Sequence, residues 1–222
     1  MSGNGLTRRN FAKLLGGALV SRTAHALPGM RSNEKPFACV ASRNKEDAGL
    51  HLFSIEAEHW KQVDFLSVRE PSALVALPGG RGVVVANSVS DFQHRPSGYV
   101  ESYLLDRKLG RLSLINRRGL SLAATAPQSL AISNCGNHLA VLAAAGSILN
   151  ILPLDDSGII GHPSLVRKRI APRSSRGRLL RFSRVAFDSG RQPLWLDERE
   201  LPSAPPKEIA TSIPHASAFI ML

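Results

Sequence analysis

One pattern recurs along the middle of this chain at a spacing close to fifty residues, and it limits the possible folds more than any other feature. Pro71-Ser72-Ala73-Leu74, then Gly80, then Val83-Val84-Val85-Ala86 is echoed by Pro127-Gln128-Ser129-Leu130, then Gly136, then Leu139-Ala140-Val141-Leu142, an offset of 56 residues. A second element recurs as Gly49-Leu50-His51-Leu52-Phe53-Ser54-Ile55, Gly98-Tyr99-Val100-Glu101-Ser102-Tyr103-Leu104-Leu105 and Gly146-Ser147-Ile148-Leu149-Asn150-Ile151-Leu152, its glycines 49 and 48 residues apart. Units of this length, each with about four short strands, are the pattern of β-propeller blades. A small sheet of this kind cannot bury both its faces alone, so such units stack on one another. A β-sandwich whose units resemble each other by coincidence is the competing arrangement.

The apolar residues fall in short, strand-like runs. Candidate strands are Phe37–Ser42, Leu50–Ile55, Ser72–Leu77, Gly82–Asn87, Tyr99–Leu105, Arg111–Ile115, Ser129–Ser133, His138–Leu142 and Ser147–Leu152. Turn residues separate them at Pro78-Gly79-Gly80, Arg95-Pro96-Ser97-Gly98, Asn134-Cys135-Gly136-Asn137 and Asp155-Asp156-Ser157-Gly158. No helical stripe of apolar residues runs for more than about ten residues. The expectation is an all-β chain: a partial β-propeller of about three blades of four-stranded antiparallel sheet over residues 27–166, then an irregular C-terminal tail over 167–222. Propellers close with about 4–8 blades, so the later blades of a full ring are expected to be missing.

Charge separates the ends from the body. The 222 residues hold 28 Lys+Arg and 17 Asp+Glu, a net charge of +11. Residues 27–166 are close to neutral, and the excess lies in residues 1–26 and 167–222. A high overall charge therefore argues only weakly for nucleic-acid binding by the body. Arg167, Lys168, Arg169, Arg173, Arg176, Arg178, Arg181 and Arg184 follow one another with no acidic residue between them. They read either as an arm for anionic surfaces or as a divergent, truncated or frame-altered stretch replacing later blades. With Phe182 the sole aromatic among them, the second reading is preferred and nucleic acid is not an expected partner. No apolar run reaches the ~18 residues of a membrane-spanning helix. Two cysteines, Cys39 and Cys135, exclude a disulfide scaffold or a structural zinc site, and they are not expected to pair.

The first twenty-six residues read as an export signal. Thr7-Arg8-Arg9-Asn10-Phe11-Ala12-Lys13 precedes the mildly apolar Leu14–Val20, and Thr23-Ala24-His25-Ala26 supplies an Ala-x-Ala cleavage site. The arginine pair with Phe11 and Lys13 is the twin-arginine pattern. The alternative is a basic amphipathic helix. The expectation is a periplasmic or secreted protein, cut after Ala26, with the twin-arginine translocase as its partner during export.

Val85-Ala86-Asn87-Ser88-Val89-Ser90-Asp91-Phe92, then Ser97-Gly98-Tyr99-Val100-Glu101-Ser102-Tyr103, then Gly110-Arg111-Leu112-Ser113-Leu114-Ile115-Asn116 resembles the lactonase family of seven-bladed propellers. The stretch from Pro127 through Gly146-Ser147-Ile148 resembles the family's next blade, and the likeness covers roughly residues 37–169. That family includes propeller-type 6-phosphogluconolactonases and muconate cycloisomerases. The resemblance implies a small sugar lactone as substrate, its hydrolysis as the reaction, and no cofactor. Two positions depart from the family pattern: Ser88 stands where members usually have Glu, and Ser129 where they usually have His. The resemblance places both toward the substrate pocket. Asp91, His94 and Arg95 form the best remaining polar cluster, with Arg95 suited to an anionic substrate group and His94 to polarising or deprotonating water. The chain lacks a Gly-x-Ser-x-Gly elbow, a Walker loop and His-Glu-x-x-His, and its seven histidines have no metal-ligand spacing. Pro214-His215-Ala216-Ser217-Ala218-Phe219 resembles the start of a later blade, with the chain ending inside a strand. Two alternatives stay open: a non-catalytic exported propeller that binds a ligand or protein, and a truncated product without function.

The export reading has a direct test. Replacing Arg8 and Arg9 together by Lys keeps the charge and removes the planar guanidinium forks. The double variant is expected to stay uncleaved in the cytoplasm, and fractionation with immunoblotting shows whether it does.

Overall fold

Continuous apolar runs of five or six residues, bounded by turns, form strands covered on both faces. Gly82–Asn87 and Phe37–Ser42 are buried along their whole lengths. A computed structural model describes residues 6–7, 35–44, 46–56, 59–143, 147–168, 182–188, 193–197 and 216–222. Its strands are β1 (Leu6–Thr7), β2 (Phe37–Ser42), β3 (Gly49–Glu56), β4 (His59–Ser67), β5 (Pro71–Ala76), β6 (Gly82–Asn87), β7 (Tyr99–Asp106), β8 (Arg111–Gly119), β9 (Pro127–Ile132), β10 (His138–Ala143), β11 (Ile148–Pro153), β12 (Leu165–Lys168), β13 (Phe182–Phe187), β14 (Pro193–Asp197) and β15 (Ala216–Met221). Arg8, Arg9, Phe11, Lys13, Ala24 and Ala26 lie outside the described residues, as does most of the basic stretch after Lys168.

The strands form the expected partial propeller. One sheet runs β5-β6-β7-β8 and the next β9-β10-β11-β12, with every neighbouring pair antiparallel. The first sheet runs β1-β4-β3-β2-β15, so β15 supplies its innermost strand. Leu222 and Phe37 lock that junction, exchanging backbone hydrogen bonds of 2.8 and 3.3 Å. A two-stranded sheet, β13-β14, follows the third blade. The inner strands β15, β5, β9 and β13 lie side by side in that order, so the sheets fan around one axis.

Side chains alternate across each middle strand, and this builds the core between blades. Val83 and Val85 of β6 join Phe37, Cys39, Leu50 and Leu52 of the first blade. Val84 and Ala86, on the opposite face, join Leu139, Val141, Ile148 and Leu152 of the third blade. Ala140 and Leu142 in turn meet Val185 of β13.

Two strands carry no apolar signature and were not among the expected ones. β12 is the outer strand of its sheet and β4 is flanked outward only by the two-residue β1; both are mostly exposed, β12 at all four residues. Main-chain pairing to β3 and β11, rather than burial, defines them.

Side chains also stitch neighbouring blades through backbone groups. Asp64 Oδ2 on β4 accepts from Leu112 N on β8 at 2.9 Å. Asn116 on β8 donates to Ile160 O at 2.8 Å and accepts from Ile160 N at 3.1 Å. Ser72 Oγ on β5 lies 2.5 Å from the carbonyl of Pro127 at the start of β9. Removing a side chain that satisfies buried backbone groups costs about 1–3 kcal/mol. Asn116→Leu is therefore expected to lower unfolding stability by about 1–3 kcal/mol, measured as a drop in the urea midpoint with an unchanged slope.

Candidate functional site

In each antiparallel sheet the inner strand starts at the same end where the second strand turns into the third. At that end of the second blade lie the loop from Ser88 to Gly98 and the connection from Leu120 to Ala126, and the residues singled out from sequence fall mostly there. Phe92 and Arg95 exchange backbone hydrogen bonds of 2.9 and 3.1 Å around Gln93 and His94. Those two residues have φ of 52° and 62°, the positive angles that a type I′ turn needs at both central positions. Glycine or asparagine usually fills such positions, so Gln93 and His94 adopt them at a steric cost.

The turn disperses the expected polar cluster. His94 stands exposed at its tip, and Asp91 is exposed before it. Arg95 borders a cleft of about 460 Å³ together with Phe92, Arg117, Arg118, Ser121 and His162. Neither Asp91, His94, Ser88 nor Ser129 lines that cleft. Ser88 N donates to Glu70 O at 2.8 Å, tying the loop to the start of β5. Ser129 Oγ accepts from Val185 N at 3.1 Å, so this hydroxyl joins β9 to β13.

The segment around Asn87 and Ser97-Gly98 has a packing role. Phe92 stacks on Tyr99 with ring centroids 4.6 Å apart, and Val89 is buried. A Cβ on Gly98 would fall 2.4 Å from Pro127 Cδ, so only glycine lets this loop reach the third blade.

Beneath the loop lies a buried carboxylate that the sequence reading passed over. Glu101 on β7 is 1% exposed. Its Oε2 accepts from Asn87 Nδ2 at 2.8 Å, and its Oε1 accepts from Arg117 Nε at 2.6 Å and from a terminal nitrogen of the same guanidinium at 2.5 Å. A buried charge persists only with such partners. The Arg117 guanidinium also sits 5.5 Å from the centre of the Tyr99 ring. Burial, reinforced by the Glu101 charge, pushes the hydroxyls of Tyr99 and Tyr103 above the ordinary tyrosine range.

Arg118, next along β8, turns toward the third blade. Its Nε donates to Ile160 O at 3.2 Å and its Nη1 to His162 Nε2 at 3.1 Å. With Nε2 accepting, the imidazole proton sits on Nδ1. Ser121 N donates to Asn150 Oδ1 at 2.9 Å. Arg117, Arg118, Ser121 and His162 were not singled out from sequence. The one local sign was the Arg117-Arg118 pair, which on an outer strand reads as a solvated face.

Among the described residues no three His, Cys, Asp or Glu side chains gather as a metal site would need. No helix among them is long and apolar enough to cross a membrane. Neither cysteine is in a disulfide: Cys39 is buried in β2, which pushes its thiol up to about 12, and Cys135 is exposed beside Ser133 and Asn137.

No protein-family model matches this chain, and no curated protein sequence does. Solved structures do. The periplasmic gluconolactonase of Pseudomonas aeruginosa superposes with a TM-score of 0.60 at 19% identity, over 73% of this chain and 47% of that one. A Bacteroides fragilis protein provisionally named a 6-phosphogluconolactonase superposes with a TM-score of 0.61 at 19% identity, over 76% of this chain and 47% of its own. A Bacteroides uniformis protein named in the same provisional way gives 0.62 at 17% identity, over 74% of this chain and 47% of its own. The chain thus spans about half the length of these structures. At such identities the likeness establishes the propeller fold.

The tyrosine environment is testable because the chain has two tyrosines, Tyr99 and Tyr103, both on β7. Unfolded tyrosine ionises near about 10. With the folded values raised, the unfolded state binds fewer protons above that pH, so stability is intact below about 10 and falls as pH rises beyond it. Tyrosinate absorbance at 295 nm is expected to appear only together with loss of the folded circular-dichroism signal. A transition near pH 10 in a still-folded protein would contradict the buried arrangement.

Proposed function

We propose that this chain is a lactonase-type propeller that binds a sugar lactone and hydrolyses it weakly or not at all. The observation that carries the reading is the arc of antiparallel sheets shared with a gluconolactonase over about three quarters of the chain. The loop motif from Asn87 to Gly98 supports it, as the family's pattern in sequence. The twin-arginine motif and the periplasmic location named for the Pseudomonas protein support action outside the cytoplasm.

Hydrolysis of a lactone needs an activated water and donors for the oxyanion that forms at the ester carbonyl. Ser88 and Ser129 offer hydroxyls in place of a carboxylate and an imidazole, and Ser129 is already engaged by Val185 N. His94 stands on an exposed turn, where water competes for every contact. His162 has one ring nitrogen accepting from Arg118 and the other protonated, so neither is a ready base. Arg95 borders a cleft that neither Ser88 nor Ser129 lines. These features favour binding over turnover, which is the non-catalytic form of the same reading.

General acid–base help contributes roughly 10²–10⁴-fold and each oxyanion donor about 10²–10³-fold. Without both, the rate approaches spontaneous hydrolysis. A coupled assay with freshly made 6-phosphogluconolactone is therefore expected to stay within about tenfold of the no-enzyme control, while calorimetry detects binding of 6-phosphogluconate. A greater rate that His94→Ala or Arg95→Ala abolishes would assign the chain full lactonase activity and place the base on the Phe92–Arg95 turn. Absence of both turnover and binding would leave the lactone reading without support.

A further inference from the structure

The cleft beside Arg95 lies at the outer rim, where the end of β8 faces the segment leading into β12, away from the inner strands that border the axis. We infer that it is a separate binding site for a small organic oxyanion, a carboxylate or a phosphate monoester carried on a compact apolar body.

Two observations converge on this ligand class. The first is charge. Arg95, Arg117, Arg118 and His162 line the cleft and no carboxylate does. Glu101 answers the charge of Arg117 from beneath, and among the described residues no carboxylate pairs with Arg95 or Arg118 at the surface of the cleft. The second is preorganisation. Arg117 is pinned by two contacts to Glu101, and Arg118 by Ile160 O and His162. Guanidiniums already held in place lose little freedom when an anion arrives, and their planar forks match the two oxygens of a carboxylate or phosphate.

The rest of the lining explains why the anion should carry an apolar body. Leu122 is 65% exposed and Val166 46% exposed, both at this cleft, alongside the ring of Phe92. Apolar side chains that remain open to water beside fixed cations suit an amphipathic ligand. The volume of about 460 Å³ lies within the ordinary range for small-molecule sites.

The test uses the full chain and three probes of one size: phenyl phosphate, phenylacetate and neutral benzyl alcohol. In ¹H–¹⁵N spectra the two anions are expected to shift the amides of Gly119, Ser121 and His162, and benzyl alcohol at the same concentration to leave them in place. Whichever anion binds more tightly identifies phosphate or carboxylate as the preferred head group. Arg95→Gln, at an exposed turn residue, is expected to weaken binding about tenfold, as loss of a charged hydrogen bond does. Leu122→Glu, which places a carboxylate at the mouth, is expected to abolish it. Arg118→Gln serves as a third variant, with its fold checked by circular dichroism. Equal response to benzyl alcohol, shifts confined to other blades, or unchanged affinity in both Arg95→Gln and Leu122→Glu would each overturn the assignment. The same spectra separate this site from the proposed lactone site: 6-phosphogluconate that shifts amides of the inner strands β5 and β9 supports the lactone reading, and shifts at Gly119, Ser121 and His162 report the rim cleft, so either reading can fail while the other stands.

Discussion

Every structural feature of this chain depends on one constraint: a blade has two apolar faces and cannot cover either by itself. β6 makes this concrete. It has six residues, all buried, and alternate ones serve two different cores. Val83 and Val85 are covered by the first blade, Val84 and Ala86 by the third. Removing either neighbour would expose half of β6, at a cost of roughly 25 cal/mol for each Å² of apolar surface uncovered. Stability is therefore shared along the arc and not stored in single blades, as expected for a stacked repeat.

Polar groups fix how the sheets meet once hydrophobic burial has brought them together. At matching registers the third strand of each blade carries a polar residue opposite a valine: His51 opposite Val40, Glu101 opposite Val85, Asn150 opposite Val141. The three solve the burial of a polar group differently. His51 Nε2 contacts the carbonyl of Asp47 within its own blade, Glu101 gathers Asn87 and Arg117, and Asn150 accepts from Ser121 N in the connection out of the second blade. The repeat thus conserves a site of polar anchoring while its chemistry drifts. The middle version, an ion pair within the second blade, is the one that also positions a cation at the rim.

The middle strands were legible in the sequence because burial on two faces demands an unbroken apolar run, as in Val83-Val84-Val85-Ala86 and Phe37-Ala38-Cys39-Val40. The period near fifty residues was legible for the same reason, since each blade repeats that run once. β4 and β12 were not, because toward the outside of a sheet a strand needs little beyond backbone pairing, and His59–Ser67, among its described residues, buries only Trp60 fully while Leu66 packs partly against the core. At the site, Arg95 was found through the loop motif, but Arg117, Arg118 and His162 come from two different blades. Their meeting depends on how β8 packs against the segment before β12, and no local spacing encodes that.

Ser129 illustrates why the role of a polar residue on an inner strand is hard to read from sequence alone. An inner strand has a face toward each neighbouring blade and an edge toward the axis, so a polar side chain on it has two possible uses. It can face the axis and meet a ligand, or it can cross to the next inner strand and hold a backbone group. Ser72 and Ser129 both take the second course, reaching Pro127 O and Val185 N respectively. A hydroxyl is short and bonds close to its own strand, as Ser129 does to Val185 N. Ser129 thus serves as a blade-to-blade contact. The result is an arc whose inner strands are tied to one another, with its fixed cations gathered at the outer rim.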